Sequence, residues 1–157
     1  PAGVLGHSVV RGTGARGCTT FNVVSDQVAE IGSRPIHLGL GATAEIEPEF
    51  TGDLSWYAGY VERHAADGAE GRLVTMHVFT ESWDAWEMHP VGSEVVLCVA
   101  GRLTVHQQNA DGTTAIAILE AGQYVINEPG TWHTADVETT TTALFITAGV
   151  GTEHRPR

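Results

Sequence analysis

The chain has 157 residues, 42% of them apolar and 17% charged, with 19 Gly and 6 Pro. That length and apolar content predict one folded domain with a substantial core and exclude disorder across the whole chain. The net charge of −11, from 8 Lys+Arg against 19 Asp+Glu, leaves no basic stripe to hold a phosphate backbone, so no nucleic-acid partner is expected.

Every basic residue is Arg, which removes chemistry that needs a lysine amine. The two cysteines, Cys18 and Cys98, sit in different kinds of segment and suggest no disulfide framework. No apolar run approaches the roughly 18 residues of a membrane helix. The N-terminus lacks the charged start and apolar block of a secretory signal. The expectation is a cytoplasmic protein with no membrane partner.

Residues 1–34 are rich in Gly, Ser and Arg and read as an N-terminal arm with at most one or two short strands, one of them at Phe21–Val24. The arm contains Gly12-Thr13-Gly14-Ala15-Arg16-Gly17, a literal G-x-G-x-x-G. A strand-favouring segment follows it, and His37 stands where an acidic residue is required, so a flexible glycine turn is the better reading than a dinucleotide site. Ile36–Leu40 and Ala44–Glu47 read as strands. One helix is predicted, with Asp53 as its cap, Leu54, Tyr57, Tyr60 and Val61 at helical spacing, and Gly68 as its end.

From Arg72 onward, short runs rich in β-branched and aromatic residues alternate with turn residues. They are Leu73–Thr80, Ala85–His89, Val95–Ala100, Leu103–Gln107, Thr114–Leu119, Tyr124–Asn127, Trp132–Val137 and Ala143–Ala148, with Asp111-Gly112 as a hairpin turn. Many short strands at regular spacing predict an all-β sandwich or barrel.

Histidines and carboxylates cluster within that block. Glu87 and His89 are two residues apart and share a strand face. Pro90 and Gly92 then make a turn, and Glu94 opens the returning strand beside His89. A second turn, Glu128-Pro129-Gly130, presents His133 at the start of the next strand. This order resembles the two motifs of the cupin superfamily. The first motif is matched by His89, four residues, Glu94, six residues and Gly101. The second is matched by Gly122, five residues, then Glu128-Pro129-Gly130-Thr131-Trp132-His133. Glu87 replaces the first histidine of the family's pattern, Glu81 its leading glycine and Glu128 its first proline. The motif core covers 87–133 and the β pattern extends the resemblance to roughly 72–149; the cupin-like domain is placed at 35–157.

The resemblance implies an antiparallel jelly-roll β-barrel, a homodimer, and a divalent metal held by Glu87, His89, Glu94 and His133. Two imidazoles with one or two carboxylates suit Fe(II), Mn(II), Zn(II) or Ni(II). Glu94 or Glu87, whichever is not firmly bound, would act as a catalytic base. His77, on a strand face with Thr75 and Phe79, and Cys98, on the face of Glu94 and Val96, are candidate lining residues for a small-molecule ligand. For both, a role as a packed core side chain is the alternative. Trp83, Trp86 and Trp132 are open between core, rim and interface. His106 is expected to face solvent beside Arg102. His7, His37, His64 and His154 carry no local motif.

Three functions follow. The first is a metal-dependent enzyme on a small chelating molecule, such as an enol, diketone, hydroxy acid or catechol-like compound. Its reaction type is open among dioxygenase-like oxidoreduction, isomerisation and cyclase or lyase chemistry. The second is a non-catalytic binding or sensing module on the same barrel. The third is a metal-free sugar-nucleotide epimerase, which needs basic residues for a diphosphate.

Overall fold

The computed structural model describes residues 28–157. The glycine turn at 12–17, Cys18 and the Phe21–Val24 strand lie outside the described residues. From Ile36 onward the chain forms eleven strands and one α-helix: β1 (Ile36–Gly39), β2 (Thr43–Ile46), α1 (Leu54–Arg63), β3 (Arg72–Phe79), β4 (Ala85–Met88), β5 (Glu94–Ala100), β6 (Arg102–Gln108), β7 (Thr114–Glu120), β8 (Tyr124–Asn127), β9 (Trp132–Asp136), β10 (Thr141–Thr147) and β11 (Glu153–Pro156). Two short 3-10 turns, Leu40–Ala42 and Ala65–Glu70, flank β2 and follow α1.

The strands make two antiparallel sheets, ordered β2-β1-β3-β10-β5-β8 and β11-β4-β9-β6-β7. Their inner faces bury one core: Val96 and Cys98 from β5, Leu103 and Val105 from β6, Ala135 from β9, Ala143 and Phe145 from β10. Alternation puts every second side chain there, which is why the β5 pattern Glu94, Val96, Cys98 points inward together. Among the described residues the sheets are not hydrogen-bonded into a closed cylinder, so the jelly roll is a two-sheet sandwich rather than a sealed barrel.

Gly101, the last position of the first motif, carries the chain from β5 in one sheet to β6 in the other. Its φ of +82° favours glycine, and a Cβ there would lie 2.7 Å from the Thr140 carbonyl oxygen. The Thr141 hydroxyl closes the same corner by donating to the Arg102 carbonyl at 2.9 Å.

Asp53 caps α1 as expected, its carboxylate accepting from the Trp56 N–H at 3.0 Å. The helix stops at Arg63, before the expected end at Gly68. His64 leaves helical geometry because its side chain is drawn to Glu47, at 2.6 Å, and stacks on His37. The predicted stripe also divides. Trp56 and Tyr60 are buried against Leu73, while Leu54, Tyr57 and Val61 stay more exposed and face a cavity.

β11 has no apolar alternation and was not expected. It docks on β4 because Arg155 lies over the Trp132 ring at 4.3 Å and the Trp86 ring at 5.3 Å. The two tryptophans thus serve the outer surface of the five-stranded sheet.

Gly101→Ala should lower the unfolding free energy by about 2–5 kcal/mol, combining positive-φ strain with a backbone clash. Gly41→Ala, at φ +73° with open space around it, should cost only about 1–2 kcal/mol. Urea unfolding of both variants checks this, and equal costs would contradict it.

Candidate metal centre

The two turns that carry the histidines are tied together, since the Gly130 N–H donates to the His89 carbonyl at 2.9 Å. Gly130, at φ +79°, makes that approach possible. Glu87 on β4 lies directly opposite His133 on β9. Glu94, at the start of β5, lies opposite Asn127 of β8 and Thr147 of β10. Strand register therefore gathers Glu87, His89, Glu94 and His133, whose ligand atoms lie within 4.8 Å of one another.

Glu94 is the centre of the group and is 2% exposed. One carboxylate oxygen accepts from the Thr147 hydroxyl at 2.8 Å and lies 3.2 Å from His89 Nε2. The other accepts from Asn127 Nδ2 at 3.1 Å and lies 2.9 Å from His133 Nε2. Gln107 steadies Asn127 by donating to its Oδ1 at 2.7 Å. A carboxylate held on both oxygens is a rigid ligand. Glu87 is half-buried, 3.9 Å from His89 Nε2 and 3.3 Å from His154 Nε2.

The far nitrogens of the imidazoles identify which atoms carry lone pairs. His133 Nδ1 faces the Thr131 carbonyl at 3.1 Å. A carbonyl only accepts, so Nδ1 holds the proton and Nε2 is bare in the neutral ring. His89 Nδ1 faces the Thr152 hydroxyl at 2.9 Å, whose hydrogen is already donated to the Gly149 carbonyl at 3.0 Å. His89 Nδ1 is therefore also the donor, and its Nε2 is also bare. Both Nε2 atoms are fully buried with no aligned hydrogen bond, although each sits against a carboxylate oxygen. Lone pairs facing a carboxylate repel unless a positive charge lies among them. Two protons or one metal ion meet that requirement. The donor set and the outer hydrogen bonds on both rings fit a divalent metal.

The charges respond accordingly. Burial pushes the Glu94 carboxyl up, but the two imidazoles outweigh it and hold it well below the usual carboxylate range. Burial pulls His133 down, but Glu94 outweighs it and raises His133 above its ordinary value.

A cavity of about 570 Å³ opens onto this centre. Glu87, His89, Glu94 and His154 form its polar end, and α1 roofs it with Leu54, Tyr57, Ala58 and Val61. Phe79, Trp83, Phe145 and His77 form its walls. His77 is thus a lining residue, kept below its ordinary pKa by burial among Phe50, Phe79 and Phe145. Cys98 is not. It shares the face of Glu94, but at roughly 3.3 Å per residue it sits deeper in the core, with its thiol near the Ala100 and Gly101 carbonyls. His106 does not simply face solvent, because it pairs with Asp136 at 2.6 Å. His154 was missed: it lies on β11, and only its register opposite Glu87 reveals it.

His37, His64 and Asp67 also converge. The two rings stack 3.5 Å apart and 14° from parallel, so their in-plane lone pairs do not meet at one point. His37 instead bridges Tyr60 and Asp67, at 2.8 and 2.7 Å, while Glu47 holds Arg63 and His64, both at 2.6 Å. The cluster clamps α1 over the cavity.

No protein-family model matches the chain, and no curated protein matches it. Among solved structures, Peruvianin-I, a cysteine peptidase from Thevetia peruviana latex, aligns over 54% of this chain and 56% of its own, with 17% identity and a TM-score of 0.46. The chain thus spans little more than half of that protein. A conserved protein with a double-stranded β-helix domain from Klebsiella pneumoniae aligns over 55% and 76%, with 21% identity and a TM-score of 0.45. A cupin-2 domain protein from Shewanella frigidimarina aligns over 55% and 71%, with 16% identity and a TM-score of 0.41. The chain's own strand order and turn-borne His and Glu residues define a cupin-like jelly roll with a candidate metal centre. No helix among the described residues is long and apolar enough to cross a membrane.

Metal and protons should compete at this centre. In metal-free protein the Glu94 contribution to stability is present above the ordinary carboxyl value of 4.5 and lost as pH falls through its depressed pKa. The His133 contribution is present below 6.5 and lost as pH rises through its raised pKa. The rise in Tm on adding one equivalent of Zn(II) should therefore be larger at pH 8 than at pH 6. His133→Ala should abolish most of it at both values. A shift independent of pH, or intact in His133→Ala, would place the metal elsewhere.

Proposed function

We propose that this protein is a metal-dependent enzyme acting on a small chelating organic molecule. The observation that carries the reading is the pair of bare, buried Nε2 atoms aimed at Glu94 at the inner end of an apolar cavity. His89, His133 and Glu94 would hold the ion, and Glu87 stands beside it. Two histidines and one carboxylate best suit Fe(II), with Mn(II), Zn(II) and Ni(II) also accommodated. The ion would supply Lewis acidity toward a chelated substrate oxygen and, as Fe(II), reactivity toward dioxygen.

The chain's own residues supply the rest. Glu87, the carboxylate not locked by neighbours, is the general base for an acidic O–H or C–H of the substrate, oriented by His154. The α1 roof narrows the cavity's opening, and the aromatic walls orient the substrate. Among the described residues no Arg lines the cavity, which gives no support to the sugar-nucleotide alternative.

Protein purified without added metal should retain about one Fe or Mn per chain by elemental analysis. Glu94→Gln should weaken metal binding at least about tenfold, since it removes the ligand charge. Glu87→Gln should keep the metal and lower turnover of enolisable or phenolic substrates by about 10²–10⁴. Absence of any metal after loading would overturn the reading. Stoichiometric metal without turnover on such substrates would favour a binding module.

A further inference from the structure

The walls of the cavity carry information that the metal centre does not. Trp83 packs 6.2 Å from the His133 ring, and Phe145 lies 5.8 Å from Trp83. Phe79 lies 5.7 Å from Trp83 and 6.0 Å from Phe145. His77 follows 6.0 Å beyond Phe145. These centroid spacings describe a continuous aromatic surface that starts at the metal ligands and ends at one polar side chain. Flat π-faces at such spacings favour a flat ring packed against them.

The charges narrow the ligand further. Among the described residues, Glu87 and Glu94 are the acidic residues at the cavity's polar end, and no Arg lines it. Their two negative charges balance one divalent cation. A further anionic group on the ligand would be desolvated there with no arginine partner among the described residues. Among the described residues His77 has no hydrogen-bond partner, and it is surrounded by three phenylalanines, which leaves its ring nitrogens available to a ligand. Leu54, Ala58 and Val61 of α1 present apolar groups to the cavity beside Tyr57 and Tyr60.

We propose that the ligand is an uncharged, planar aromatic molecule with an acidic oxygen, of phenol or enol type, whose ring lies against Phe79, Trp83 and Phe145 and whose far polar group meets His77. This inference rests on the metal-centre reading for the near end of the ligand and selects among its chelators, setting aside hydroxy acids. His77 is the specificity residue for the far end.

The test is calorimetric titration of the full chain, loaded with one equivalent of Zn(II), using three catechols that differ at one position. These are 3,4-dihydroxybenzyl alcohol, 4-methylcatechol and 3,4-dihydroxybenzoate. The alcohol should bind tightest, the methyl compound several-fold weaker, and the benzoate at least tenfold weaker than the alcohol. In His77→Phe the alcohol should lose its advantage while the methyl compound changes less than twofold. His77→Asn, which keeps a polar group, should restore part of the advantage. Benzoate binding as tightly as the alcohol would overturn the uncharged class, and no binding by any of the three would overturn the aromatic class. An unchanged alcohol-to-methyl ratio in both His77 variants would remove His77 from the role. Zn(II) uptake on the same samples separates the two readings. Failure to take up Zn(II) overturns the metal centre, while full uptake with the wrong ligand order overturns this inference alone.

Discussion

The architecture of the functional end depends on one buried carboxylate. Glu94 is sealed from water between two sheets, and an isolated carboxylate in such a place would cost several kcal/mol. The fold compensates from both neighbouring strands, with Asn127 on one side and Thr147 on the other. It then sets two imidazole nitrogens against the remaining faces of the same group. A positive charge is the remaining requirement, which is why the site reads as a place for a cation rather than as a polar accident of the core.

The rest of the molecule serves that carboxylate at a distance. The two sheets face each other without closing, and the cavity between them and α1 ends at Glu87, His89 and Glu94. α1 covers the opening and is fastened by the cluster of His37, Glu47, His64 and Asp67. Burial of these paired groups is tolerated because each has a partner at hydrogen-bond distance. A loosened clamp would uncover the cavity further, so residues far from the candidate metal centre contribute to its shape.

The features of the site that were legible in the sequence are local ones. A Pro-Gly turn before His133 and a Pro-x-Gly turn after His89 state their own geometry, and period-two alternation places Glu87 with His89 and Glu94 with Val96. The strands from Arg72 to Thr147 follow from the same alternation. What was not legible depends on register between distant segments. His154 meets Glu87 only because β11 pairs with β4, and β11 is held by Arg155 over two tryptophans rather than by apolar alternation. The end of α1 was hidden because His64 answers to Glu47 and His37, seventeen residues away in one case and across a stacked ring in the other. Cys98 shows the limit of face arguments, since a shared face does not give depth along the strand.

The account's central claim concerns two nitrogen atoms, and imidazole ¹⁵N NMR reads them directly. In metal-free protein at a pH where the rings are neutral, His89 and His133 should both show a protonated Nδ1 and a bare Nε2. Adding one equivalent of Zn(II) should move the Nε2 resonances of those two residues and leave His37, His64 and His77 in place. Protonated Nε2 atoms in the neutral rings, or a zinc response at His37 and His64 instead, would contradict the centre described for Glu94.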